Sequence, residues 1–211
     1  MLSVITNFGC DEGCSYCIMK AHKLEHVRTT LQSTDWHKLQ GLMAGEKRIS
    51  VSGGGDPLFQ LDANMGWWNK FFEIVQETGV VVDLHTAKLA PVDFGKKFAK
   101  YVWHVKDITK PIASEYKQLI DYGIPVRMTA VAEAKYTEHD YLIFAKQVVM
   151  MGFQCSFREL VTRKGTFPYN QDMLKFLESE RGWKFVRQAD YNYYFMPDNT
   201  VTDKFIYSYP W

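Results

Sequence analysis

Short apolar, β-branched runs alternate along this chain with longer stretches whose apolar residues recur three and four positions apart. Residues 2–6 form the first short run. Ser33-Thr34-Asp35 offers an N-cap for a helix to about Ala44, with Gly45 as its stop. Residues 48–52 read as a second strand, and 65–78 as a helix closed by Gly79. Strands follow at 80–84, 101–105, 124–131 and 153–160, with helices at 92–100, 112–121, 140–151 and 171–180. Strands alternating with helices of this length predict βαβ units and a parallel sheet. Six such units predict an α/β fold, a partial (β/α)6 barrel of parallel strands. Functional loops then lie at the carboxyl ends of the strands, so the loops after the first two strands are neighbours on one rim.

The tail breaks the alternation. Residues 183–211 carry Asp190-Tyr191-Asn192-Tyr193-Tyr194-Phe195, then Met196-Pro197-Asp198-Asn199, then a second apolar run. This predicts an aromatic β-hairpin turned at Pro197-Asp198-Asn199. The expected organisation is a barrel over 1–182 with a hairpin extension over 183–211 packed on it. Covering hydrophobic core is the favoured task of that hairpin, ahead of a direct contact with substrate.

Composition narrows the class. A chain of 211 residues fits one domain, and 46% hydrophobic with 23% charged residues is ordinary globular protein. A net charge of +1 supplies no global field to steer nucleic acid or acidic membranes. No apolar stretch is long enough to span a bilayer. The start Met1-Leu2-Ser3-Val4-Ile5-Thr6 lacks the basic residues and long apolar core of a signal peptide. A cytoplasmic location is therefore expected. Of four cysteines, three crowd into eight positions, which is a poor disulfide framework and suits metal binding by reduced thiols.

Those three form the run Cys10-Asp11-Glu12-Gly13-Cys14-Ser15-Tyr16-Cys17, a CxxxCxxC loop directly after the first strand. Iron–sulfur clusters are usually held by four thiolates. Three thiolates leave one iron open, and an open metal position is where a small molecule binds and reacts. A structural zinc site completed by His22 or His26 is an alternative, although no second CxxC is present. A non-catalytic electron carrier is another, if Cys155 supplied the fourth thiolate. Cys155 lies in Gly152-Phe153-Gln154-Cys155-Ser156-Phe157, which reads as a buried strand where a cysteine packs as a small hydrophobe.

Other candidates sit at the predicted strand ends. The second strand runs into Ser52-Gly53-Gly54-Gly55-Asp56-Pro57, where glycines permit close backbone approach to a ligand. The fourth ends in Trp103-His104-Val105-Lys106-Asp107, and Lys106 there either meets a carboxylate or is solvated. His85 and Thr86 end the third strand. Arg127 inside the fifth strand and Arg158-Glu159 at the end of the sixth are charges that need partners. They either pair with each other or bind carboxylate or phosphate.

The CxxxCxxC loop with Tyr16 before its last cysteine is similar to the cluster loop of radical S-adenosylmethionine (SAM) enzymes. Gly54-Gly55-Asp56-Pro57 resembles the Gly-Gly-Glu-Pro segment of that family, with Asp56 in the usual place of Glu. The resemblance implies a single [4Fe–4S] cluster on Cys10, Cys14 and Cys17, with SAM on the open iron. Its one-electron cleavage to a 5′-deoxyadenosyl radical would serve hydrogen abstraction. It also implies SAM contacts from Tyr16, Gly54, Gly55, Asp56, Lys106 and Arg127, and a flavodoxin- or ferredoxin-type electron donor. The size and the run through Leu58-Phe59-Gln60 look like two groups. Glycyl-radical-enzyme activases act on a protein; 7-carboxy-7-deazaguanine synthases act on a small pterin. The latter usually carry a Thr soon after the third cysteine, where this chain has Ile18-Met19-Lys20. The substrate, small molecule or protein, is not fixed by these motifs.

Overall fold

The computed structural model describes residues 1–17, 33–112, 116–162, 165–166, 169–179, 181–187 and 193–203. The alternation is present. Strand β1 (Leu2–Ile5) is followed by α1 (Trp36–Ala44), β2 (Arg48–Ser52), α2 (Met65–Thr78), β3 (Val81–Thr86) and a short α3 (Val92–Gly95). Then come β4 (Lys100–Val105), α4 (Tyr116–Asp121), β5 (Val126–Val131), α5 (Glu138–Met150) and β6 (Gln154–Arg158). A two-stranded ribbon of β7 (Val161–Thr162) and β8 (Gly165–Thr166) precedes α6 (Gln171–Glu178), β9 (Lys184–Val186), β10 (Tyr193–Phe195) and β11 (Val201–Thr202). The sheet order is β11-β10-β1-β2-β3-β4-β5-β6-β9, so its two edges stay apart and the barrel is open. All its pairings are parallel except β10 with β11.

Local chemistry explains where expected boundaries moved. The Asp35 carboxylate caps α1 by accepting from the Lys38 amide at 3.0 Å. Helix α5 starts two residues early because Thr137 and Asp140 form a reciprocal capping box. Asp140 stands there in place of the usual Glu. Helix α3 stops at Gly95, well short of 100. Phe94 and Phe98 both turn inward, and the Ala99 amide donates to the Val82 carbonyl at 2.8 Å, which pulls the chain into the sheet.

Two features of the tail were not expected. Residues 184–186 form a strand parallel to β6, one more unit of the sheet. The antiparallel β10–β11 hairpin turns at Pro197-Asp198-Asn199 as expected, but β10 also pairs in parallel with β1. The hairpin tip is tied to the start of α1. Asn199 Oδ1 accepts from the Asp35 amide at 2.7 Å, and Lys38 Nζ donates to the Asn199 carbonyl at 2.7 Å.

The two faces of the sheet differ sharply. Side chains alternate along a strand with a period of two. Leu2, Val4, Ile49, Val51, Val82, Leu84, Val126, Met128, Ala130, Cys155 and Phe157 face outward into one core under the helices. At its densest part Trp68 of α2 is fully buried, with Phe94 at 5.2 Å, Phe72 at 5.7 Å, Phe71 at 5.8 Å and Phe98 at 5.9 Å between ring centroids. The alternate positions, facing the concave side, are mostly polar: Ser3, Arg48, Ser50, Ser52, Asp83, His85, Lys100, His104, Arg127, Thr129, Gln154, Ser156 and Arg158, with Ile5, Val81, Val102 and Val131 among them.

Candidate active site

A cavity of about 190 Å³ opens on the concave side at the carboxyl ends of the strands. It is lined by Cys10, Cys14, Tyr16 and Cys17 from the loop after β1, and by Gly53, Gly54, Gly55 and Asp56 from the loop after β2. The three cysteines are free thiols. Burial pushes the Cys10 and Cys14 thiols above their ordinary value. Among the described residues no group of three or more His, Cys, Asp or Glu converges on a single-ion site. His22 and His26 lie outside the described residues.

The residues between the cysteines hold their loop across the rim. Asp11 pairs with Lys88 beyond β3, at 2.6 Å. Glu12 pairs with Lys106 beyond β4. Ser15 Oγ donates to Glu133 beyond β5 at 3.2 Å, and Lys135 Nζ lies 2.9 Å from the other carboxylate oxygen. The Tyr16 hydroxyl donates to the Val105 carbonyl at 3.5 Å, and burial raises its pKa. The spacer positions of CxxxCxxC thus reach three different strand ends. Of these partners, which stand 77 to 118 positions away, only Lys106 stands out in the sequence, and the carboxylate it meets is that of Glu12.

The glycine run is needed first for backbone packing. A Cβ on Gly55 would stand 2.3 Å from the Gly9 carbonyl oxygen, and one on Gly53 would stand 2.2 Å from the Gly55 oxygen. The Asp56 amide donates to that same Gly9 carbonyl at 2.9 Å. What approaches closely here is the cysteine loop itself. Asp56 is 4% exposed, and its carboxylate accepts from the Leu58 amide at 2.8 Å, the Ala87 amide at 2.7 Å and the Thr86 hydroxyl at 2.7 Å. Burial raises its pKa against the pull of those donors. The shorter acid is therefore engaged in tying the β2 loop to the end of β3. Thr86 serves that tie.

Deeper in the cavity His85 and His104 stand with ring centroids 5.9 Å apart, and Arg158 and Glu159 also line the wall. Burial depresses both imidazoles, and the Arg158 charge depresses them further; His104 falls to about 3. Both are neutral at pH 7. Tyr194 lines the cavity while its neighbour Phe195 enters the outer core, so β10 covers core, the task favoured for the hairpin, and also borders the cavity.

Two sequence candidates stand off the cavity wall. Lys106 reaches it through Glu12, which lines the wall. Arg127 is four residues below Val131 on β5, roughly 13 Å down the strand at about 3.3 Å per residue. Its guanidinium meets Gln154 at 3.5 Å. The concave-face residues had a legible signal. Strands β2, β5 and β6 alternate polar with apolar residues, whereas strands buried on both faces read as continuous apolar runs.

Solved structures share this fold. SuiB of Streptococcus suis bound to S-adenosylmethionine is similar with a TM-score of 0.57 at 15% identity, over 88% of this chain and 46% of that one. The protein anSMEcpe with bound AdoMet is similar with a TM-score of 0.57 at 15% identity, over 87% of this chain and 63% of that one. SuiB bound to the precursor peptide SuiA is similar with a TM-score of 0.57 at 14% identity, over 88% and 48%. This chain thus spans about half the length of SuiB. No protein-family model matches the sequence, and no curated protein does. The likeness is one of fold: the partial barrel of parallel strands expected from the strand–helix alternation is the architecture found.

Proposed function

We propose that the chain is a radical SAM enzyme. In this reading Cys10, Cys14 and Cys17 hold a [4Fe–4S] cluster, and SAM is cleaved reductively to a 5′-deoxyadenosyl radical for hydrogen abstraction. One observation carries the reading. Three free thiols and the glycine loop line a single cavity, while Cys155, the chain's remaining cysteine, packs on the opposite face of the sheet. A fourth thiolate from this chain is therefore out of reach. The donor chemistry suits the group: three thiols line one cavity with open space beside them. The SAM bound in the solved structures of the same fold supports the assignment. When bound, the cluster supplies the electron for SAM cleavage.

The chain's own residues position and shield. Gly54 and Gly55 offer backbone groups to the methionyl end of SAM. Asp56 fixes the shape of that loop through its three donors. Lys106 and Lys88 anchor Glu12 and Asp11, which fixes the cysteine loop over the cavity. Arg127 stands below the cavity and is given no SAM contact. A flavodoxin- or ferredoxin-type protein supplies electrons. Among the described residues no helix is long and apolar enough to cross a membrane.

Anaerobically reconstituted, reduced protein is expected to form 5′-deoxyadenosine from SAM, and Cys14→Ala to form none. An intact cluster that yields no 5′-deoxyadenosine with any electron donor or candidate substrate would return the chain to an electron carrier. One zinc per chain without iron after anaerobic expression would make it a zinc protein.

A further inference from the structure

We propose that the inner end of the cavity, formed by His85, His104 and Arg158, receives an anionic group of the substrate, a carboxylate or a phosphate. This rests on the radical SAM reading only in taking the occupant to be substrate.

Three basic side chains from three strands meet there. The two imidazoles share the cavity at 5.9 Å, and Arg158 lies close enough to bear on both. It is the charge of Arg158 that matters, since the residue also interacts within the protein. The other charges bearing on His85 come from Arg127 and Lys100, again positive. Arg48, Lys100, Arg127 and Arg158 occupy concave positions on the strands, against the single acid Asp83. Asp83 is taken by Arg48 through two hydrogen bonds of 2.7 and 3.0 Å. Of the acids on the cavity wall, Glu12 is paired with Lys106, Asp56 is engaged by its donors, and Glu159 stands beside Arg158.

Polar side chains continue along the cavity wall: Ser3, Ser50 and Ser52 line it together with His85 and His104. The neutral imidazoles add N–H donors and the guanidinium adds charge. Together they suit an anion far better than an apolar or cationic group.

The test is calorimetric titration of the anaerobically reconstituted full chain with inorganic phosphate and with malonate, each with and without SAM. Saturable binding of at least one anion in the millimolar range is expected, with or without SAM. Which anion binds distinguishes phosphate from carboxylate. Arg158→Gln and His104→Gln are each expected to weaken it about tenfold, as loss of a charge-assisted hydrogen bond does. If Arg158→Gln fails to fold by circular dichroism, His104→Gln carries the comparison. No saturable binding, or unchanged affinity in the folded variants, overturns the proposal. So does loss of anion binding on adding SAM, because the subsite then belongs to SAM. Absence of SAM binding would count against the radical SAM reading instead, and the anion titrations would still decide this one.

Discussion

The convex and concave faces of this sheet come from the same strands, one residue in two each, yet they are built to different rules. On β6 Cys155 and Phe157 enter the core while Gln154, Ser156 and Arg158 face the concavity. On β3 Val82 and Leu84 pack under helices while Asp83 and His85 turn inward. Apolar burial on the convex side stabilises the fold non-directionally. The concave side spends its positions on polar groups that bury little apolar area and need partners. A parallel strand that alternates polar with apolar residues is thus a strand with one working face.

Substitutions separate the faces, and the largest effect belongs to the convex one. Trp68→Ala is expected to cost about 3–5 kcal/mol in denaturant unfolding. Trp68→Phe is expected to cost about 1–3 kcal/mol, less than the Ala variant, because it leaves a smaller cavity and the buried indole N–H has no hydrogen-bond partner to lose. A loss in Trp68→Phe as large as in Trp68→Ala would mean that shape, rather than apolar area, governs that core.

Gly55→Ala tests the seam between the two rim loops. Its new methyl would meet the Gly9 backbone, so a loss of about 1–3 kcal/mol is expected by the same unfolding measurement. Wild-type stability there would show that the loops separate without cost.

The concave face shows itself in pH dependence. His85 and His104 have folded pKa values below the unfolded value of about 6.5. Between the two values the unfolded chain binds more protons, so stability rises with pH. The contribution is complete above about pH 6.5 and is lost as pH falls toward the folded value, about 3 for His104. Thermal midpoints should fall on acidification through that window, and His104→Gln should flatten the slope. An unchanged slope would place His104 in solvent.

The smallest effect is expected at the Arg48–Asp83 pair. Arg48 is 44% exposed in its side chain but Asp83 only 11%, so both are replaced together: Arg48→Met with Asp83→Leu should cost about 1 kcal/mol or less by chemical denaturation, because no buried charge is left unpaired. A cost near that of Trp68→Ala would make the concave face part of the core.

Much of this was legible in the chain. Periodicity placed the six strands, and the strand–loop order put Cys10-to-Cys17 and Gly53-to-Asp56 on neighbouring rim positions. The β10–β11 turn followed from Pro197-Asp198-Asn199. Residues 184–186 were missed as a strand because three residues carry too little periodicity. The pairing of β10 with β1 joins chain ends that no local pattern connects. The pairings of Asp11, Glu12 and Ser15 were invisible for the same reason. Asp56 reads in sequence as a ligand-binding acid, and only the fold shows three of its own donors arriving first.

The proposed cluster on the cysteine loop, with one iron open to SAM, has a spectroscopic signature. The most direct measurement is the electron paramagnetic resonance spectrum of the anaerobically reduced, reconstituted protein before and after SAM is added. A [4Fe–4S] signal is expected whose g-values shift on SAM binding and which is absent in Cys14→Ala. A cluster signal that SAM leaves unchanged at saturating concentration would contradict it.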